Sequence, residues 1–372
     1  MRVLLVATVQ SHICQFHKPL VAMLRGQGCE IHVAARDNLA EKNGLKLDFA
    51  DRVFDVPFSR SPKSRDNIKA YKALKKIIDE GGYDVVHCNT PMGGIIARLA
   101  ARKARKRGTK VFYTAHGFHF YKGAPKKNWM IYYPIEKFFA RYTDKLITIN
   151  EEDHEFAKNH FKCEVCRIHG VGADPERFHP VSDEEKAEYR KELGIKEGSR
   201  VIMCVGELLP NKNQKTAIKA MKEVVKKVPE ALLLIAGNGP EKDNLQALID
   251  ELDLNDSVKL IGYTTQLEKY LQASDLLVAC SIREGLGMNV IEAMLCGKPV
   301  VASKNRGHNE LVKDGVNGFL VDACETGQYS DRIIEVLIKG ARSIEMGGCG
   351  SKAAMPYSAV SVSKDLKTIY GF

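Results

Sequence analysis

The chain has 372 residues, of which 44% are hydrophobic and 27% charged, with a net charge of +10. At about 150 residues per domain that length predicts two domains, each able to bury a core, and the ordinary composition excludes a disordered, fibrous or collagen-like chain. The longest apolar runs, such as Val3–Val9 and Ala231–Ala236, are too short to cross a bilayer, no secretory leader precedes the first of them, and the ten cysteines are scattered singly as reduced thiols would be, so a soluble cytoplasmic protein is expected.

In chain order, Val3–Val9 reads as a strand, Pro19–Gln27 as a helix, Ile31–Ala35 and Val53–Val56 as strands, Ile68–Glu80 as a helix and Asp84–His87 as a strand. Gly93–Arg107 follows as a helix, Val111–Thr114 as a strand, Pro134–Tyr142 as a helix and Lys145–Asn150 as a strand. Gly170–Pro180 has no periodicity and precedes a charged helix, Asp183–Leu193, so the domain junction is placed there. The pattern then restarts with strands at Arg200–Val205, Ala231–Ala236, Val258–Gly262, Leu276–Cys280 and Pro299–Ser303. Helices at Gln214–Lys227, Glu241–Leu252, Leu267–Ala273 and Val290–Leu295 separate them. Short apolar strands alternating with helices mean βαβ units and parallel sheets covered on both faces, an α/β architecture of two doubly wound, Rossmann-like domains.

Ligands of such domains gather at the carboxyl ends of strands, and two of them facing one another predict a site in a central cleft. Three second-half loops suit a phosphate. They are Gly206-Glu207-Leu208-Leu209-Pro210-Asn211-Lys212, Gly237-Asn238-Gly239-Pro240 and Glu284-Gly285-Leu286-Gly287-Met288-Asn289, each followed by a helical pattern. Glycine permits close backbone approach, and a helix N-terminus supplies free N–H groups with a positive dipole end. Glycine also ends strands for purely structural reasons, so it is the three together that point to a ligand. Neither GxGxxG nor GxxxxGK[ST] occurs, which disfavours a nicotinamide enzyme and a P-loop NTPase. Glu284 and Glu292 flank the start of one predicted helix, so both can face one ligand.

The string from Glu284 to Ala302 resembles the E-x7-E signature of the retaining glycosyltransferases of family 4, the glycosyl transferases group 1, whose fold is GT-B. The resemblance extends over nearly the whole chain, including the loops named above, Arg306-Gly307-His308-Asn309-Glu310 and the junction Gly172-Ala173-Asp174…Phe178-His179-Pro180. It implies an acceptor-binding domain at 1–181, a nucleotide-sugar domain at 182–355 and a C-terminal helix at 356–372 packing back on the first domain. It further implies that Glu292 takes the ribose hydroxyls and Glu284 the transferred sugar. Gly285, Leu286 and Gly287, with Gly206, Glu207, Gly237 and Gly239, would bind the donor, the backbone near Leu286 and Gly287 meeting the diphosphate that Lys212 neutralises, while Gly262 and Tyr263 back the base. No cofactor or metal is implied, and no metal-ligand cluster is evident. Glu207 departs from the pattern, standing where many members have a diphosphate-binding Arg, so Lys212 is left as the named cation.

In the first half, Thr114-Ala115-His116-Gly117 resembles the family's active-site histidine loop, which makes His116 the catalytic candidate there. Ser11, His12 and His119 are candidates for the acceptor side, and His87 reads as a strand-end residue. Residues 1–181 hold 31 Lys and Arg against 19 Asp and Glu, so the basic excess lies wholly in the first half. Two segments carry it: Arg98 to Lys110, and Lys122 to Arg141, where lysines interleave with aromatics including the only tryptophan. An apolar stripe bordered by cations suits an anionic membrane, and a solvated helix face is the plainer account of it. The resulting expectation is transfer from a nucleotide-sugar, UDP-linked, to a lipid-linked or glycan acceptor in bacterial surface polysaccharide synthesis, at the inner face of the cell membrane. Its rivals are a basic nucleic-acid-binding protein, disfavoured because no binding motif for nucleic acid is present, and a GT-B-like module that has lost transfer.

Overall fold

The computed structural model describes residues 1–41 and 45–372. The chain forms two compact units, one of Met1–Gly172 with Ala359–Phe372 and one of Ala173–Ser358.

The first unit begins β1 (Arg2–Val9), α1 (Gln10–Phe16), α2 (Lys18–Gly26), β2 (Glu30–Arg36), β3 (Arg52–Asp55), α3 (Asp66–Gly81) and β4 (Val85–Asn89). It continues α4 (Pro91–Ala100), α5 (Arg102–Arg105), β5 (Lys110–Ala115), α6 (Lys126–Ala140), β6 (Lys145–Thr148), α7 (Glu151–His160) and β7 (Glu164–Arg167). Its seven strands form one parallel sheet in the order β3-β2-β1-β4-β5-β6-β7. The order reverses beside β1, the switch point at which such sheets open for a ligand.

The second unit runs α8 (Asp183–Glu192), β8 (Arg200–Val205), α9 (Gln214–Lys227), β9 (Ala231–Ala236), α10 (Lys242–Glu251), β10 (Val258–Gly262), α11 (Leu267–Ala273) and β11 (Leu276–Ala279). Then come α12 (Met288–Leu295), β12 (Val300–Ser303), α13 (Arg306–Leu311), β13 (Gly318–Val321), α14 (Thr326–Ile338) and α15 (Gly340–Ala354). Six parallel strands lie in the order β10-β9-β8-β11-β12-β13. The last helix, α16 (Ala359–Tyr370), belongs to the first unit.

Both central strands, Val3–Val9 in β1 and Val201–Cys204 in β8, are buried along their length because helices cover both sheet faces. The helices contribute one apolar stripe each. On α9, Ala217, Met221 and Val224 recur at helical spacing and pack with Ile333 and Leu337 of α14 into a single cluster with β8 and β9. The first unit closes its core in the same way, with Leu74 and Ile78 of α3 and Ile96 and Ala97 of α4 against Leu4, Val86 and Val111.

Four features depart from the sequence reading. Helix α6 starts at Lys126 and holds Pro134 in its interior. The donor that proline removes is offset by packing, since Trp129 and Tyr133 lie against Phe120 and Phe156. The helix read over Gly93–Arg107 breaks at Ala101 into α4 and α5. The short strands β7 and β13 and the helices α1, α7, α13, α14 and α15 are not among the elements the sequence predicts. Finally, the units meet at Gly172 and Ala173 rather than at 181, because the segment after Ala173 is fastened within the second unit. Arg177 Nε donates to Glu268 Oε2 at 2.7 Å, Gln272 Nε2 to His179 O at 3.2 Å, and Phe178 is buried.

Helix α16 is anchored on the first unit by three polar contacts. Tyr370 OH lies 2.7 Å from His87 Nδ1, Lys145 Nζ donates to Ile369 O at 2.7 Å, and Asp365 Oδ2 lies 3.1 Å from His169 Nδ1. Gly172 lets α16 approach: at φ +83°, a Cβ there would stand 2.9 Å from Ala359 Cα.

Candidate active site

In the second unit the three glycine loops stand side by side at the carboxyl ends of β8, β9 and β11. Gly206 N–H donates to Ala236 O and Gly237 N–H to Gly262 O, so the ends of β8, β9 and β10 are tied together. A Cβ on Gly237 would lie 2.0 Å from Gly206 O, and one on Gly239 2.3 Å from Leu208 O. These two glycines are therefore required by the packing of one loop on the next. Asn211 and Asn213 sew the β8 loop to the β11 loop, with Asn211 Nδ2 on Arg283 O at 3.0 Å and Asn213 Nδ2 on Cys280 O at 3.3 Å.

That stitching carries Lys212 to Glu284. Their side chains pair at 2.5 Å, with 25% and 14% of each exposed, and the Lys212 methylenes lie along Gly206 within van der Waals reach of where a Cβ would stand. Burial raises the Glu284 carboxyl, but the charge and hydrogen bond of Lys212, with Ser281 and His308, outweigh it and hold it below its ordinary value. Arg306 Nε reaches Glu284 O at 3.4 Å, which places a second cationic side chain at this loop.

Helix α12 follows from Gly287 at φ +107°. No side chain caps the start of α12, as is also true of most of the other described helices. Its first N–H groups and positive dipole end are thus left for an anion. Asn289 Nδ2 donates to Val205 O at 2.9 Å and fixes this turn against β8. Beneath Gly287 lies His308, fully buried, its Nδ1 3.0 Å from Ser303 O and its Nε2 with no hydrogen-bond partner among the described residues. Glu292 stands one helical step into α12, half-buried, and burial lifts its carboxyl to about 7, with Arg177 opposing and Glu268 adding to the rise. Glu207 is exposed, and Tyr263 is 40% exposed beside Gly262, the end of β10.

In the first unit, the turn from β1 into α1 and the end of β5 bring together residues far apart in sequence. His12 Nε2 lies 3.2 Å from His116 Nε2, and His116 Nε2 lies 3.3 Å from Asn89 Oδ1. His17, at the corner between α1 and α2, packs edge-on against His116 with ring centres 5.4 Å apart. One ring nitrogen from each of these three histidines lies within 4.8 Å of the others. The sequence showed no metal-ligand cluster because His116 comes a hundred residues after its two neighbours, and only the sheet order brings them into contact. Burial is the main cause that lowers the imidazole of His12, of His17 and of His116, the last to about 4.

The remaining candidates are held elsewhere. Ser11 exchanges two hydrogen bonds with Asn38, at 3.0 and 2.9 Å. His119 stacks on Tyr132 of α6 at 4.6 Å, apart from the other three imidazoles. His87 is buried between Tyr370 OH and Thr114 Oγ1, each at 2.7 Å, and burial lowers it to about 3. The basic run after Arg98 is only in part a free cationic face, with Lys103, Lys106 and Lys110 exposed. Arg98 is buried against Glu136, while Arg105 pairs with Asp144 and Arg107 with Asp79. His308 lies in the stretch Arg306–Glu310 that carries the resemblance, but no role follows from it there; Asn89 is not singled out by the sequence, as nothing local distinguishes it from a core residue.

Comparison with known proteins places this geometry. The family model described as glycosyl transferases group 1 matches residues 185–347, and that described as glycosyl transferase 4-like matches residues 2–150. EpsD of Bacillus subtilis, assigned by its name to the glycosyltransferases, is 42% identical over 371 residues, covering 99% of this chain and 96% of its own. The UDP-Gal:alpha-D-GlcNAc-diphosphoundecaprenol alpha-1,3-galactosyltransferase of Escherichia coli is 28% identical over 89% of this chain and 87% of its own. HepE of Anabaena, solved in complex with UDP and glucose, superposes with a TM-score of 0.80 at 21% identity over the full length of both chains, which establishes a common fold.

Proposed function

The chain belongs to the group 1 glycosyl transferases, and from that premise we propose that it moves a sugar from a UDP-linked donor to a lipid-linked or glycan acceptor, with retention at the anomeric carbon, in bacterial surface polysaccharide synthesis. The observation that carries the reading is the Lys212–Glu284 pair beside the uncapped start of α12, with Glu292 one step into that helix. Choice of UDP is supported by the UDP bound to HepE and the UDP-Gal in the name of the E. coli relative. That relative's name also supports a diphospholipid-linked sugar as acceptor.

In this reading the donor diphosphate lies against the N–H groups of Leu286, Gly287 and the first turn of α12. It draws Lys212 away from Glu284, and the compact ammonium neutralises the leaving group. Glu284, released, accepts hydrogen bonds from the transferred sugar. Glu292 accepts from the ribose hydroxyls; no side-chain hydrogen bond from another described residue occupies it, and hydroxyl donors favour its ionised form. Gly262 and Tyr263 back the base, and Gly206, Gly237 and Gly239 keep the loops close enough to enclose it. His116, uncharged at neutral pH, offers the reacting sugar a hydrogen bond, while Ser11, His12 and His119 serve the acceptor side. Attack comes from the face the leaving group departs, with the leaving phosphate taking the acceptor proton, so the rate enhancement is positional and electrostatic and needs no metal.

The acceptor's lipid is matched by a surface on α6. Met130, Ile131, Tyr132 and Phe138 are exposed there, Met130 by 71%, and Lys126, Lys127, Lys137 and Arg141 surround them in the exposed positions. Among the described residues no helix is long and apolar enough to cross a membrane, so we assign this face to the surface of an anionic bilayer.

Thermal unfolding with UDP-, GDP-, ADP- and dTDP-sugars, without added metal, tests the donor class. A ligand at a thousand times its Kd adds roughly 4 kcal/mol. The UDP series alone is expected to shift the transition; a shift only with another base reassigns the donor, and none with any removes the reading.

A further inference from the structure

The loop after β10 and the Glu292 carboxyl come from different elements, and the transfer reading needs both to hold one nucleotide. Within the loop, Gln266 N–H donates to Thr264 Oγ1 at 3.0 Å, and Tyr263 remains 40% exposed. A fixed point lies between them at Thr265, whose carbonyl accepts from Arg177 Nη2 at 2.6 Å. Through Nε the same guanidinium donates to Glu268 Oε2 at 2.7 Å, in the first turn of α11. Arg177 is itself fastened from behind. Buried Gln272 donates through Nε2 to Arg177 O at 3.4 Å and to His179 O at 3.2 Å, and Phe178 between them is buried. The planar fork is therefore held at both ends and loses little further freedom in binding two acceptors.

We propose that Arg177 is a positioning residue of the nucleotide subsite, which sets the base loop and the charge beside Glu292 and so decides which nucleobase is accepted. The inference rests on the transfer reading and adds to it a residue for base selectivity. A carboxylate in the first turn of α11 is already favoured by the helix dipole and needs no arginine to stay charged. Left alone, however, Glu268 would act on Glu292 as a like charge. Burial lifts the Glu292 carboxyl most, Arg177 opposes that rise and Glu268 adds to it. An ionised carboxylate accepts a hydroxyl's hydrogen bond more strongly than the neutral acid, so the cation favours the form that takes the ribose.

The tie to Thr265 O has a separate effect. It fixes where the N–H and C=O groups of the loop stand, and polar groups at fixed positions discriminate between bases because a mismatched edge leaves them unpaired. A loop released from Arg177 can adjust to another base, at the expense of the preferred one.

The test is calorimetric titration of the full-length protein with UDP, ADP and GDP, in the wild type, Arg177→Ala, Arg177→Lys and Glu268→Gln. Donor KM and kcat are measured alongside, with a nucleotide-sugar that the wild type turns over. Arg177→Ala should weaken binding of the preferred nucleotide by at least ~10-fold, the scale of one charge-assisted hydrogen bond, and narrow the preference among the three bases. Donor KM should rise in step while kcat stays within ~2-fold, since Lys212 and Glu284 are untouched. Arg177→Lys keeps the charge without the fork and should fall between, and Glu268→Gln keeps the tie to Thr265 and should keep the base preference. Circular dichroism establishes which variants fold, and Arg177→Lys carries the test if Arg177→Ala does not. A folded arginine variant with lowered thermal stability but unchanged affinity and base preference would overturn the inference and leave the transfer reading standing. A wild type that binds none of the three nucleotides would overturn both.

Discussion

Glu292 is held at a cost. A half-buried carboxyl raised to about 7 binds a proton more tightly in the folded chain than in the unfolded one, so its contribution favours folding at low pH and is lost as pH rises towards 7. Glu292→Gln removes the charged form and should stabilise the ligand-free protein at pH 8 by roughly 1–3 kcal/mol, the lower figures reflecting residual solvent contact. The gain should shrink steadily towards pH 5, as urea unfolding across that range will show, and UDP-sugar affinity should fall at least ~10-fold in the same variant. Lys212 is the opposite case. Lys212→Ala strands the Glu284 carboxylate, only 14% exposed, and should cost ~2–3 kcal/mol; Lys212→Met with Glu284→Gln should recover most of that stability and none of the transfer.

At the scale of elements, α4, β5 and α6 are joined by a polar strut inside an apolar core. Arg98, 1% exposed, donates to Glu136 Oε2 at 3.0 Å and to Gly94 O at 3.0 Å, and its guanidinium lies 4.1 Å from the Tyr113 ring centre. Removing one partner leaves a buried charge, so Arg98→Met should destabilise the first unit by ~3–5 kcal/mol in chemical unfolding, and adding Glu136→Met should return much of it. The sequence disclosed the strands here and hid the strut. Val111–Thr114 announces itself as a buried strand through its apolar run, whereas Arg98 belongs to a cationic stretch that reads as surface until its partner, 38 residues later, is known. The same limit explains the site. Glu284, Glu292 and Lys212 stand out as candidates because glycine and helix-start patterns, and the resemblance they carry, mark them, but Asn89 and the meeting of His17 with His116 take their meaning from strand order alone. Pro134 misled for a related reason, since packing around Trp129 and Tyr133 carries a helix through a residue that local rules place at its start.

For the whole molecule, the chain's order in sequence and its order in space differ at one place. The last residues, Ala359–Phe372, complete the first unit through His87, His169 and Lys145. Ending the chain after Ser358 should therefore lower the first unit's unfolding transition in calorimetry and leave that of Ala173–Ser358 near its original temperature. Family membership accounts for two parallel sheets, and the proposed function assigns a diphosphate, a ribose and a sugar to the second unit's loops. The measurement that bears most directly on that account is transfer itself: UDP release and product formation from UDP-sugars onto a diphospholipid-linked sugar, wild type beside Lys212→Ala. The account predicts turnover from a UDP-sugar and a fall of roughly 100-fold or more in kcat on losing the ammonium. Equal turnover by the two proteins, or none from any nucleotide-sugar, would contradict it.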